Sequence, residues 1–98
     1  MTIEIKRIIE DTIIEVSGRL DTVTAPELEK TIEEDIEGTK NLVLDIKGVE
    51  YVSSAGLRVL LAAQKKISKT GLLKVINVCP DVMDIFEVTG FTDILAIE

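Results

Sequence analysis

Residues 42–61 read LVLDIKGVEYVSSAGLRVLL, and the fold depends on where this stretch changes from one backbone period to another. The run Leu42-Val43-Leu44-Asp45-Ile46 is short and apolar, as expected of a central strand covered on both faces in a mostly parallel sheet. After a loop through Gly48, Leu57, Leu60, Leu61 and Ile67 keep helical spacing. Lys65, Lys66 and Lys69 lie in the last turns of that helix and Gly71 follows it, the charge and the residue that suit a helix C-terminus. Between the two patterns stand Ser53, Ser54, Ala55 and Gly56, so the helix opens on small residues.

The flanking segments follow the same grammar. Ile3 and Ile5 alternate with Thr2, Glu4 and Lys6, and Ile14 and Val16 alternate with Ile13, Glu15 and Ser17, which predicts two strands turning near Glu10-Asp11. Thr24-Ala25-Pro26-Glu27 has the form of a capping box with proline in the first turn. Leu28, Ile32 and Ile36 then share a helix face ending at Gly38, while Glu29, Glu33, Glu34 and Glu37 form a solvated face. Leu72 to Val78 reads as a further strand. Pro80 to Val88 reads as a helix with Val82, Ile85 and Phe86 inward and Gly90 at its end, and Phe91 to Ile97 as a short strand or coil.

The order strand, strand, helix, strand, helix, strand, helix implies two right-handed crossovers joining parallel strands. The expected architecture is one α/β domain over residues 1–98: a small mixed, mostly parallel sheet packed with α-helices. At 98 residues and 46% hydrophobic content the chain suits one core and not two. No internal repeat, low-complexity tract or linker interrupts it.

Composition excludes several functions. Lys and Arg number 11 against 18 Asp and Glu, and the resulting charge of -7 opposes a phosphate backbone. Tyr51, Phe86 and Phe91 are the only aromatics, leaving little on which bases could stack. Direct nucleic-acid binding is therefore not expected. The opening MTIEIKRIIEDTIIEV mixes charged and apolar residues, which fits neither a signal peptide nor a membrane span, so the chain reads as cytoplasmic and without a membrane partner.

Cys79 is the single cysteine and histidine is absent, which removes an internal disulfide, a Cys/His zinc site and a histidine base. Flanked by Val78 and Pro80, Cys79 is expected to pack. Neither Gly-x-Ser-x-Gly nor Ser-x-x-Lys surrounds Ser53 and Ser54, and the glycines at 18, 38, 48, 56, 71 and 90 form no phosphate loop. No catalytic residue, metal ligand or cofactor is expected, and the chain does not read as an enzyme.

In parallel sheets partners and ligands meet the carboxyl ends of the strands. That rule gathers Ser17-Gly18-Arg19-Leu20-Asp21, Val52-Ser53-Ser54-Ala55 and Asn77-Val78-Cys79-Pro80 onto one surface. A serine oxygen there can cap the helix. Capping leaves Gly56 unexplained, since a helical glycine costs about 1 kcal/mol relative to alanine. Small residues admit a close neighbour, and free first-turn amides favour negative charge, conditions that a phosphate meets. A phosphoserine would add about -1.5 to -2 charges, partly compensated by the helix dipole.

At these residues the sequence resembles the bacterial anti-sigma factor antagonists, built on the STAS domain shared with the cytosolic tails of sulphate transporters. The resemblance covers nearly the whole chain. It is carried by Gly18-Arg19-Leu20-Asp21, Leu42-Val43-Leu44-Asp45 and Tyr51-Val52-Ser53-Ser54-Ala55-Gly56-Leu57. It implies a partner switch: the unphosphorylated domain binds an anti-sigma factor that is also a serine kinase, freeing a sigma factor for transcription. Phosphorylation at Ser54 ends that binding and a serine phosphatase restores it. The resemblance places Asp21, Ser53, Ser54, Ala55, Gly56 and Leu57 at the partner contact and Asp45 close to the phosphorylation loop.

The family usually has aspartate before the phosphoserine, and this chain has Ser53, a second candidate acceptor. A STAS scaffold that is never phosphorylated, and a module holding a free anion or nucleotide phosphate, are the alternative readings. A monomer is the expected state of the unbound chain.

Overall fold

The computed structural model describes residues 2–8, 11–35, 40–69 and 71–98. The turn expected at Glu10, and the helix end expected around Ile36, Glu37 and Gly38, lie outside the described residues. Strands β1 (Thr2–Ile8) and β2 (Asp11–Leu20) are followed by α1 (Ala25–Asp35), β3 (Asn41–Val52) and α2 (Ser54–Ile67). Next come β4 (Leu73–Ile76), α3 (Pro80–Thr89), a single 3-10 turn (Phe91–Asp93) and β5 (Ala96–Ile97). The strands form one sheet in the order β1-β2-β3-β4-β5. Only β1 and β2 are antiparallel; β2 with β3, β3 with β4 and β4 with β5 are parallel.

The α/β architecture read from the sequence is thus present, with one more crossover than expected. The tail after Gly90 does form a strand, and α3 connects it to β4. Gly90 adopts φ 80 at the end of α3, the left-handed geometry that lets the chain leave a helix and that glycine adopts without strain.

Strand β3 corrects two expectations. Leu42, Leu44 and Ile46 are buried, whereas Val43 and Asp45 are only half-buried. The strand is therefore covered fully on one face, not on both; an alternating pattern marks a sheet with one open side. The strand also continues through the expected loop at Gly48 to Val52, with Val49 and Val52 both buried. The physical reason is a bulge. Pairing runs Glu15 with Asp45, then Ser17 with Gly48, so β3 contributes an extra residue there. A Cβ at residue 48 would collide with Ser17 Cβ, so glycine is what lets the two strands stay paired across the irregularity.

The core lies between the sheet and the helices. It contains Ile14, Val16 and Leu20 from β2, Leu28 and Ile32 from α1, Val59, Leu60, Ala63 and Ile67 from α2, and Val82 and Phe86 from α3. The helical period puts Gly56, Val59, Leu60, Ala63 and Ile67 of α2 inward, while Leu57 and Leu61 are half-buried at its flanks. Of the three α3 residues expected inward, Val82 and Phe86 are buried and Ile85 is half-buried. Each fully buried aliphatic or aromatic side chain contributes roughly 1.5–3 kcal/mol relative to exposure.

Candidate functional site: the tip of the second helix

Helix α2 begins where β3 ends, and its first turn is anchored to the end of β2. The Ser53 N–H donates to Leu20 O at 2.8 Å, one step beyond the last ladder pair, Leu20 with Val52. Ser53 itself is extended (φ -87, ψ 175) and is the N-cap; its Oγ accepts the Gly56 N–H at 3.4 Å. That contact is long for a cap, since N–H···O bonds cluster near 2.9–3.0 Å. The helical ladder opens with Leu57 N–H donating to Ser53 O at 2.9 Å.

The two serines therefore differ. Ser53 is half-buried and turned toward its own helix. Ser54 occupies the first helical position and is exposed. Among the described residues its hydroxyl has no hydrogen-bond partner. It stands where the helix dipole and the free first-turn amides favour negative charge.

Gly56 has an internal explanation. It is buried, and a Cβ there would lie 2.7 Å from Leu20 Cγ, 3.0 Å from Leu20 O and 3.0 Å from Val52 Cγ1. The slimness of this turn fits α2 against the strand ends rather than opening room for a docking surface, which corrects the placement of Gly56 at the partner contact. Ala55 and Leu57 are half-buried and pack against the core, each with part of its surface outward.

Asp21 organises the neighbouring loop. Its Oδ1 accepts the Val23 N–H at 3.0 Å and the Thr24 N–H at 3.1 Å. Its own N–H donates to Thr24 Oγ1 at 2.9 Å. The Thr24 hydroxyl donates to Arg19 O at 2.6 Å. The expected capping box is thus replaced: the Thr24 oxygen faces back toward Asp21 and Arg19, and the Glu27 amide bonds to Thr24 O at 3.1 Å. The Asp21 carboxylate instead caps the turn ahead of the helix, in the way aspartate does with amides two and three residues on. The Thr24 amide above all, working against burial, and then the Val23 amide, the Thr24 hydroxyl and Arg19 hold the Asp21 carboxyl below its ordinary range.

Beside this loop, Arg19 stands directly across the ladder from Tyr51. Its guanidinium carbon lies 4.3 Å from the Tyr51 ring centroid, and its Nε is 3.7 Å from Asp21 Oδ2. Val23, at the crest of the loop, is 84% exposed. Sequence reasoning missed the Arg19–Tyr51 pair because its register depends on two irregularities in the β2–β3 ladder, for which no residue pattern gives warning.

Asp45 lies elsewhere. It pairs with Glu15 of β2 and Ile76 of β4, five β2 residues before Leu20, or on the order of 15 Å at the usual strand rise. The expectation that it sits close to the phosphorylation loop is not met. Its Oδ1 accepts the Lys47 N–H at 3.1 Å and Asn77 Nδ2–H at 3.0 Å. Asn77, with φ 58, turns the chain out of β4. Strand β4 ends at this lower level, so of the three segments expected on one surface two meet at the helix tip. The third stands a step below, where the Cys79 thiol reaches Val49 O at 3.4 Å. The remainder of the site is plain: among the described residues no cluster of three or more His, Cys, Asp or Glu could hold a metal ion, and no helix is long and apolar enough to cross a membrane.

The sheet order, the serine-tipped second helix and the Asp21 loop together define a known domain class. The STAS domain family model matches residues 2–98, and the chain belongs to that family. Among its relatives, the anti-sigma-B factor antagonist of Bacillus subtilis is 29% identical over 98 residues, covering 99% of this chain and 90% of that protein. BtrV of Bordetella bronchiseptica, provisionally named an anti-sigma factor antagonist, is 33% identical over 82 residues, covering 82% of this chain and 71% of its own. A crystal structure of an anti-sigma factor antagonist from Mycobacterium paratuberculosis superposes with a TM-score of 0.89 at 29% identity, covering 98% of this chain and 83% of the other.

Proposed function

We propose that this protein is an anti-sigma factor antagonist of the cytoplasm that acts by partner switching, with Ser54 as the switch. In its unmodified form it binds an anti-sigma factor that is also a serine kinase, and so releases a sigma factor. Phosphate on Ser54 ends the complex, and a serine phosphatase restores it. The domain contributes a surface and an acceptor and performs no chemistry of its own.

The observation that carries this reading is the division of labour between the serines. Ser53 caps the helix and keeps its oxygen occupied, while Ser54 presents an exposed hydroxyl at the dipole-positive end of α2. The fold needs the first and is indifferent to the second, so a covalent dianion at Ser54 alters the surface without disturbing the core. Arg19, Val23 and Tyr51, together with the outward parts of Ala55 and Leu57, supply a mixed apolar and charged contact around it. Asp21 supports that contact by holding its loop. The departure at Ser53 is consistent with this arrangement, since serine caps a helix about as well as aspartate does.

The direct test incubates the protein with ATP and a kinase-type anti-sigma factor from the same organism and reads intact mass. One phosphate is expected, retained in Ser53→Ala and absent in Ser54→Ala. Incorporation that survives Ser54→Ala, or none into the wild type, contradicts the reading.

A further inference from the structure

The two edges of the sheet are unequal. At one end β5 is two residues long, too short to template another strand. At the other, β1 spans seven residues, Thr2–Ile8, and among the described residues it pairs with β2 alone. The backbone groups on its free side can accept a further antiparallel strand.

The β1 sequence is complementary to itself in one register. In an antiparallel pair centred on Ile5, Glu4 of each copy stands opposite Lys6 of the other, and Ile5 faces Ile5. Centring on Glu4 or Lys6 instead sets like charges opposite one another, which destabilises a pair. Within the chain Ile3 and Ile5 stand across from Val16 and Ile14, on the helix-covered face, yet Ile5 remains 38% exposed. Lys6 Nζ already meets Glu15 Oε1 at 2.7 Å and its side chain is 60% exposed, so further ammonium donors are available to a second acid. A two-fold axis perpendicular to the sheet at Ile5 places the helices of both copies on the same face and extends the sheet to twice its width. We infer that the β1 edge pairs with the β1 edge of a second copy of this chain, in the register that sets Glu4 against Lys6, giving a two-fold dimer that leaves the tip of α2 free. An edge of seven residues is small beside the ~800 Å² per partner of a standard stable interface, so the association is weak and appears at high concentration.

Sedimentation equilibrium of the intact chain between about 10 μM and about 1 mM, the range for a weak complex, tests this. The average mass should climb from 10.8 kDa toward twice that value. Glu4→Lys and Lys6→Glu should each weaken association at least about tenfold. The double exchange, which restores opposite charges across the axis, should return it to within about threefold of wild type. Glu4→Lys places a lysine across from Glu15, so that variant stays folded even if Lys6→Glu does not. A constant 10.8 kDa mass for the wild type, a dimer indifferent to Glu4→Lys, or a double exchange no stronger than the single variants would each overturn the inference.

Discussion

The Ser53 amide donates to the Leu20 carbonyl at 2.8 Å, so the helix that carries Ser54 is fastened to the last residue of a neighbouring strand. That bond explains why the first turn of α2 is slim: Gly56 lies directly over Leu20 and Val52. Alanine, the better helix former by about 1 kcal/mol, should be worse here. Gly56→Ala is expected to lower stability by about 1–3 kcal/mol through overpacking, read as a lower urea midpoint at unchanged slope. A stabilised variant would show that the turn has room the geometry denies.

The neighbouring serines should separate in the same assay. Ser53→Ala removes the cap oxygen and is expected to cost about 0.5–1 kcal/mol, the low end for caps because its bond is long. Ser54→Ala should stay within about 0.5 kcal/mol of wild type, as expected of an exposed position without partners. Equal losses would mean that Ser54 is structural.

Asp21 predicts an acid limb. Its carboxyl titrates below the ordinary value of 3.8, chiefly because of the Thr24 amide. A carboxyl depressed by folding stabilises the native state once the unfolded chain has ionised, and that contribution disappears as pH falls through the folded value. The stability difference between wild type and Asp21→Asn should therefore be constant from neutral pH to just above 3.8 and shrink below it. Thermal unfolding across that range reads it; a difference that grows in acid contradicts the role given to this carboxylate.

Val23 offers a probe of the docking surface apart from phosphate. At 84% exposure its replacement by aspartate should leave stability within about 0.5 kcal/mol. Affinity for the anti-sigma factor should nevertheless drop about tenfold or more, since a charge would enter an apolar contact. Urea unfolding reads the stability and calorimetric titration the affinity; a variant that binds as tightly as the wild type would remove Val23 from the contact.

Much of the fold was legible because α2 and the first half of β3 follow their periods: Ser53 to Gly56 marks the change from strand to helix, and Gly90 marks the end of α3. What periodicity could not disclose was pairing. The bulge at Gly48 disguises a continuous strand as a loop, and only the register with Ser17 shows why glycine stands there. Thr24 and Asp21 illustrate a related difficulty. Both residue types can cap a helix or a turn, and the choice between them rests on where Arg19 O falls in three dimensions. At the candidate site, the small residues that open α2 could be read from the chain, whereas the inward packing of Gly56, the lower position of Asp45 and the stacking of Arg19 on Tyr51 required the ladder.

Charge at Ser54 is expected to govern partner binding while the fold stays intact. The most direct measurement compares the affinity of an anti-sigma factor for the unmodified protein with that for protein phosphorylated at Ser54, alongside the melting temperature of each. Affinity is expected to fall at least about a hundredfold with the melting temperature nearly unchanged. Equal affinities, or a loss of binding that tracks a loss of folding, would contradict the account.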